Sequence, residues 1–587
     1  MSTRTSTLAV AAVLALAVLA YAMGLGGQYV PTNGDELVYI HIARLTAEAG
    51  HWLPLVSDLP SMRNTKPPLL FWQALWAGDW GQQWTLLALR LPSLGYTLLT
   101  AGLVGAVTWR IRPNRATALL AAALFLGFFS TFRYGRPYLT SAPETFWLTL
   151  PMLVFIWKMN RFSDEAKAFS ATTNIAISGW MMGFTGLCWG LGLAYKSFAL
   201  IAPTAAATGL GLLLIQGRHG TGDPHPGAVL LRVSAQVLPP VLMALGIFAL
   251  WFALDPDPRA VWQEFVIGEN VGKMGDKQGW WHEALRGGGS SLWVQGIAYL
   301  ENAGMLFPLV AGGLAVAWRG RHRATVSALS PAVCVLLAWL LVWWAVFMLP
   351  SQRSARYVIP AMPALAILLA LVWDRMAHGW FVAVLAVNVL VILILARIGW
   401  VMVELGIANP SQAAVLWVVW LLWLTVILLG LFHAPATRSA ALAAPLLFYL
   451  CFGLLTAPLD GAQGRYPPTA LKPGQTLGVP SNFNAQWERF EFLLPGQRLR
   501  PYNMADVASP DAQALLQTRL REFDAVVWLQ TQDGEAPPCL PHCQVVATRW
   551  VVKERHKSGD ITWANLWRPQ EWLFTREWLL QQRRLPP

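Results

Sequence analysis

Long apolar stretches separated by short polar turns dominate the first 456 residues. A membrane-crossing helix needs about 20 mostly apolar residues. Thirteen stretches qualify or come close: 8–25, 86–109, 116–131, 143–158, 172–193, 197–215, 229–254, 303–318, 329–349, 356–373, 379–401, 411–431 and 438–456. The third, fourth and eighth are short, which leaves the number open by one or two. The first follows a single arginine and resembles a signal peptide, but no clear small-residue cleavage site follows it, so it is taken as an uncleaved first helix. The pattern changes after residue 456. The stretches TLGVPSN (476–482) and FDAVVWL (523–529) read as buried strands, and 512–521 as a helix between them, which together predict a small α/β domain. The chain thus divides into a transmembrane part, 1–456, and a soluble part, 457–587.

The connections between the apolar stretches alternate in character. RIRPNR (110–115), KMNRFSDEAK (158–167), QGRHG (216–220), RGRHR (319–323) and the turns at 374–375 and 433–438 are short, and most are basic. The positive-inside rule places them and the N-terminus in the cytoplasm. Two connections on the opposite side are long, 26–85 and 255–302, and an odd number of crossings puts the soluble part on that side too. Loops of this length are functional or disordered, and their Trp, Gly, Pro and mixed charge argue against disorder.

Composition agrees. The chain is 55% hydrophobic and 13% charged with 32 Trp, and its mean hydropathy is +0.45, whereas a soluble protein has about 25% charged residues. The net charge of +12 is largely the cytoplasmic turns, and no basic stripe on a soluble domain points to nucleic acid. Cys188, Cys334 and Cys451 lie in apolar runs. Cys539 and Cys543, in CLPHC, are placed for a local disulfide outside the cytoplasm; with His542 they make only three potential ligands, so no metal site is assigned.

The outward connections also carry the candidate chemistry. Asp35 and Glu36 open the first long loop in NGDELVY, ahead of an amphipathic stretch, 37–49, expected to lie flat at the interface; the acidic first turn of a helix is the other reading of the pair. Lys66 precedes two prolines in RNTKPPLLFW, with Arg63 three residues before it. A fixed cation beside the membrane suits a phosphate, and a snorkelling lysine is the alternative. Glu144 falls at or just inside the fourth stretch, where an ionisable group is costly and a functional candidate, or else a helix-start acid. Arg133, Arg136, Lys196, Lys273, Lys277, Arg353 and Arg356 also face outward, with Tyr357 four residues beyond Arg353 and on the same face if that stretch is helical. The positive-inside rule depletes cations from this side, so their concentration there points to an anionic ligand. Cations that hold a phosphate together with a carboxylate that takes a proton suit sugar transfer from a polyprenyl phosphate.

In order along residues 30–370, the motifs GDE, KPPLLFW, LRLPS, GRPYLTSAPETFWLTLPML, GLGLAYKS, ENVGK and RYVIPAMPALAILLA resemble the bacterial lipid A aminoarabinose transferases and the related protein O-mannosyltransferases. The resemblance implies a mainly α, polytopic membrane glycosyltransferase fold of the C type, with outer-face interfacial helices, in a bacterial inner membrane. It implies an inverting transfer at the outer face from an undecaprenyl-phosphate sugar to lipid A or another envelope glycan, lipid or protein. Asp35 falls at the base, with Glu36 beside it. Lys66 falls at the phosphate-binding lysine, Lys273 at the basic residue of the second long loop, and Arg353 with Tyr357 at a Lys-x-x-x-Tyr pair. Arg63 and Lys196 complete the expected phosphate ligands. Two departures stand out. Ser141 occupies the place of a second aspartate, with Glu144 one helical turn on as its candidate replacement. Arg63 and Thr65 stand where the aminoarabinose transferases carry an aromatic and an acid. No cofactor is expected beyond an optional divalent cation, and the chain is expected to be a monomer. A carrier for lipid-linked sugars would place ionisable residues in mid-span, whereas these gather at the outer ends. A non-catalytic polyprenyl-phosphate-binding relative is the reading that Ser141 favours.

Overall fold

The computed structural model describes residues 7–29, 34–165, 177–216, 226–272, 280–286, 288–320, 329–481, 485–530, 535–553, 559 and 561–583. Helices formed by the apolar stretches make up most of it: α1 (Thr7–Ala22), α4 (Leu86–Ile111), α5 (Arg115–Gly127), α6 (Phe129–Gly135), α7 (Ser141–Glu165), α8 (Gly179–Tyr195), α9 (Ile201–Gln216), α10 (Pro226–Leu254), α11 (Phe307–Gly320), α12 (Pro331–Val346), α13 (Met362–Val372), α14 (His378–Glu404), α15 (Pro410–Phe432) and α16 (Thr437–Thr456). In the first long loop α2 (Asp35–Glu48) and α3 (Pro68–Ala77) lie between α1 and α4. Each of the thirteen apolar stretches contains helix. Among the described residues eight helices are long and apolar enough to cross a membrane, or nine if the bent pair α5 and α6 is one span. Thr7–Ala22 and Pro331–Val346 are shorter apolar helices.

Backbone groups inside a membrane need protein partners because no water is there to serve them, and the break between α5 and α6 shows how this is met. The chain turns by 64° there, through an extended Phe128. The Leu126 and Gly127 carbonyls accept from the Tyr21 and Tyr449 hydroxyls at 2.7 and 2.8 Å. Just beyond, buried Arg136 donates to the Tyr21 and Met23 carbonyls at the end of α1, a cation at a helix C-terminus where the backbone dipole favours it. The bend delivers the chain to the start of α7, where Ser141 and Glu144 lie.

The soluble part holds a five-stranded sheet in the order β2-β1-β3-β5-β4, with β1 (Thr476–Ser481), β2 (Arg498–Asn503), β3 (Ala525–Leu529), β4 (Cys543–Val552) and β5 (Phe574–Gln582). β2 and β3 run parallel to β1, while β5 is antiparallel to both β3 and β4. Side chains alternate between the faces of a strand. Val526 and Trp528 of β3 therefore pack with Leu516 and Leu520 of α17 (Ala512–Glu522). Ala525 and Val527 join Leu477, Val479 and Leu579 in a cluster that also contains Val38, Ile40, Ile42 and Phe71 of the first long loop. The sheet is thus covered by α17 on one face and by α2 on the other. Cys539 and Cys543 form a disulfide, with Cα atoms 5.6 Å apart.

That packing corrects the expectation for 37–49. The stretch is helical, but it does not lie with one face open. Val38 to Ala43 are all buried, as are Thr46 and Ala47, because the soluble part sits on what would have been its water-facing side.

Candidate active site

The two long loops meet over the ends of the membrane helices. Pro67, extended at ψ 158°, starts α3 and fixes the backbone just after Lys66. The Lys66 ammonium donates to Glu269 at 2.5 Å and to its neighbour's carbonyl, Thr65 O, at 2.7 Å. Glu269 lies on a π-helical segment, Trp262–Val271, in the second long loop. From the same segment, Glu264 accepts from the Asn64 amide and side chain at 2.9 and 3.1 Å. Asn270 accepts from the Ser197 hydroxyl at 2.6 Å. Arg63 stands 3.7 Å from Asp257. Residues more than 200 positions apart therefore share one surface.

Asp35 is the first residue of α2, and its carboxylate accepts from Arg356 at 3.0 Å. Both side chains remain more than a third exposed. Glu144 occupies the first turn of α7; it is fully buried and accepts from the Lys196 ammonium at 2.7 Å. Its second carboxylate oxygen, Oε2, has no hydrogen-bond partner among the described residues. Tyr39 lies between these groups. Burial pushes its hydroxyl well above its ordinary pKa, and the charge of Asp35 pushes the same way, Arg356 against it, Glu269 and Glu144 again upward. Lys66 Nζ lies 5.8 Å from the Tyr39 ring centre, and Lys196 Nζ 5.7 Å from that of Tyr357. Three ion pairs, Asp35–Arg356, Lys66–Glu269 and Lys196–Glu144, thus gather about Tyr39 and Tyr357.

Two expectations change in detail. Glu36 points away from this cluster. It is 1% exposed, and its carboxylate accepts from Arg90 at 2.7 and 2.9 Å and from the Tyr138 amide at 2.7 Å. Arg90 also donates to the Leu25 and Gly27 carbonyls. This placement makes Glu36 part of the frame that ties α2 to α4 and to the turn before α7. Arg353 and Tyr357 do not share a helix face, because the 3-10 helix there starts at Ala355. The Arg353 guanidinium donates to the Met348 and Ser290 carbonyls at 2.9 and 3.0 Å and lies over the Trp280 ring. The cation that reaches Asp35 is Arg356. Lys273 and Lys277 lie outside the described residues.

Glu269, Asn270 and Tyr39 belong to the cluster without having been marked by the residue pattern, whereas Arg356 was among the cations expected to face an anionic ligand. Glu269 and Asn270 begin the ENVGK motif, whose lysine is the residue that the resemblance marks. Among the described residues no three His, Cys, Asp or Glu side chains come together as a metal site would need.

No protein-family model matches the chain. Curated relatives do. The undecaprenyl phosphate-alpha-4-amino-4-deoxy-L-arabinose arabinosyl transferase 1 of Sodalis glossinidius is 26% identical over 360 residues, covering 60% of this chain and 56% of that protein. The corresponding transferase of Erwinia tasmaniensis is 26% identical over 343 residues, 57% and 54% of the two chains, so the chain spans little more than half the length of these relatives. With the transferase of Yersinia pestis the match extends to 467 residues at 24% identity, 75% and 74% of the two chains. The crystal structure of ArnT from Cupriavidus metallidurans bound to undecaprenyl phosphate matches over 98% of each chain, with a TM-score of 0.59 at 16% identity. The apo structure of the same protein matches with a TM-score of 0.53. The resemblance read from the motifs therefore holds: the chain has the C-type membrane glycosyltransferase fold of ArnT, and its curated relatives are named undecaprenyl-phosphate-aminoarabinose arabinosyl transferases.

Proposed function

We propose that this protein transfers a sugar from an undecaprenyl-phosphate donor to an envelope acceptor at the outer face of a bacterial inner membrane, with Asp35 as the base. The observation that carries the reading is the gathering of Asp35 and Lys66 of the first long loop with Lys196 and Arg356, which come from two other connections, on one surface. Each cation is already paired with a carboxylate, so a phosphate entering the cluster exchanges one anionic partner for another. As the bond from the sugar C1 to the phosphate oxygen breaks, its electron pair stays on the phosphate, whose charge grows by one. Lys66, Lys196 and Arg356 offset that charge where it develops. Asp35, released from Arg356, takes the proton of the acceptor hydroxyl, whose oxygen forms the new bond to C1 from the opposite face. That geometry inverts the anomeric centre.

Glu144 supports the reading as the second acid. It holds Lys196 through one oxygen and keeps the other for the acceptor or the sugar, compensating for Ser141. The names of the curated relatives point to an aminoarabinose donor; lipid A, an envelope glycan, another lipid or a protein fits the same chemistry as acceptor. With the N-terminus cytoplasmic, the soluble part lies in the periplasm. The reading needs no resident cofactor.

The test is a deletion strain analysed by mass spectrometry of its envelope glycolipids and glycoproteins. One glycosylated species should disappear, return with the wild-type gene, and stay absent with Asp35→Asn. An unchanged envelope in the deletion strain would overturn the transferase reading. Full complementation by Asp35→Asn would overturn the assignment of the base alone. Ser141 raises the alternative of a non-catalytic polyprenyl-phosphate binder, which predicts that unchanged envelope together with retained donor binding.

A further inference from the structure

The last part of the soluble domain carries an aromatic face that the proposed reaction does not use. Between β4 and β5 the chain leaves the sheet, and Ile561, Trp563 and Trp567 present their side chains outward, with exposures of 42%, 89% and 47%. Trp563 is more exposed than any other described tryptophan. A solvated loop has no use for such a group, and contiguous exposed apolar side chains mark an interaction surface.

The inward side of the same segment shows where it sits. Trp572 and Phe574, with Trp550 of β4, are buried in the same hydrophobic cluster as the membrane helices. The Trp572 indole donates back to the Asn565 carbonyl at 3.0 Å, which folds 561–567 onto this buried foot. The Trp567 carbonyl accepts from Arg397 of α14 at 2.8 Å. Arg397 precedes the last residue of α14, Glu404, by seven positions. At about 1.5 Å per residue that is about 10 Å back from the outer end of the helix. The exposed side chains of α14 at this level are Leu393, Trp400 and Val403, the face that a membrane helix turns to lipid. The loop therefore hangs beside a lipid-facing surface, one turn deeper than Trp400, with its tryptophans pointing away from the protein. Arg397, Arg568 and Lys553 surround it. Arg568 pairs with Glu571 at 2.8 Å, and Lys553 donates to the Glu571 carbonyl at 2.8 Å.

We propose that residues 561–567 form a membrane-inserted lip, in which Ile561, Trp563 and Trp567 enter the outer leaflet of the bilayer that the chain spans. The chemistry is that of an interfacial aromatic belt: indole rings at the boundary between headgroups and acyl chains, flanked by cations at the level of the lipid phosphates. The surface is continuous with the lipid-facing side of α14, which is why lipid and not a protein partner is the occupant. The soluble part is then held to the membrane at two places, over α2 by its sheet and at the rim by this lip.

The test uses the full chain in nanodiscs holding one copy in phosphatidylcholine and phosphatidylglycerol. A nitroxide is attached at Ile561→Cys, and another, as a water-exposed reference, at Gln513→Cys on α17. The native Cys188, Cys334 and Cys451 are buried. Collision with a water-soluble nickel complex at position 561 should be less than half that at 513, and collision with oxygen should be greater. Nickel access at 561 of half the reference or more would overturn the lip. Backbone hydrogen exchange of 561–567 gives a second readout. It should be slower in nanodiscs than in a short-chain detergent, and Trp563→Asp, a change at an exposed position, should abolish the difference. Equal exchange in the two media in the wild-type chain would also overturn the proposal.

Discussion

Asp35 and Glu36 are neighbours in sequence and of the same chemical type, yet they occupy opposite environments. Successive residues of a helix point about 100° apart, so Asp35 turns to the open cluster and Arg356 while Glu36 turns inward to Arg90. Their substitutions should separate accordingly. Asp35→Asn removes a half-exposed charge and should leave thermal stability in detergent near that of the wild type while abolishing transfer. Glu36→Gln leaves Arg90 buried without its counter-ion, a loss of about 3 kcal/mol, and should lower the unfolding midpoint. A Glu36→Gln protein as stable as wild type and devoid of activity would reverse the two roles. At Glu144 the prediction lies on activity: Glu144→Gln keeps the size of the side chain but loses the charge facing Lys196, and transfer should fall by about a hundredfold, in line with the loss of one positioned acid or base. Wild-type rates in that variant would reduce Glu144 to a helix-start residue.

At the scale of elements, α2 is the piece on which the site depends, and it is held from above. Glu488 of the soluble part is fully buried and accepts from Arg44 at 2.6 and 2.9 Å and from the ring of His41 at 2.8 Å. The other ring nitrogen of His41 meets Asp58 at 2.5 Å, and Trp487 lies edge-on to the ring. Burial pushes the His41 pKa down, but the hydrogen bond and charge of Glu488, with those of Asp58, outweigh it, and the net direction is up; Arg44 also faces the ring at 3.5 Å. A raised folded pKa means that protonated His41 stabilises the docked state in full below its unfolded pKa, near 6.5. That contribution is lost as pH rises through the folded value. Protease accessibility of the junction between the two parts should therefore increase on the alkaline side of the His41 titration. His41→Gln should remove that pH dependence. The same dependence in His41→Gln would assign it to another group.

The whole molecule is built so that two loops and one domain close over one end of a helix bundle. Lys66 and Lys196 come from separate connections and meet carboxylates from still others, so the cation cluster exists only in the assembled chain. Lys66→Ala and Lys196→Ala should each raise the donor concentration needed for half-maximal transfer, by about tenfold for the loss of about 1.4 kcal/mol of phosphate binding. The maximal rate should change less. A normal dependence on donor concentration in both variants would count against the phosphate role.

Membrane character, the existence of the two long loops and the strands β1 and β3 were legible without a structure. Each depends on a local property: apolar length, its interruption by polar sequence, or a run of buried β-formers. β2, β4 and β5 were not, because their burial patterns are mixed and their pairing is settled by partners far along the chain. Asp35, Lys66, Lys196 and Glu144 stood out because a charge beside the membrane is costly wherever it sits. That Glu36 belongs to the frame, that Arg356 and not Arg353 reaches Asp35, and that α2 is covered by Glu488 were decided by tertiary structure alone. These depend on which way a side chain points and what packs against it, and the contacts span 54, 321 and 444 residues. A free-energy cost can be read from one residue; the partner that offsets it has no local signature.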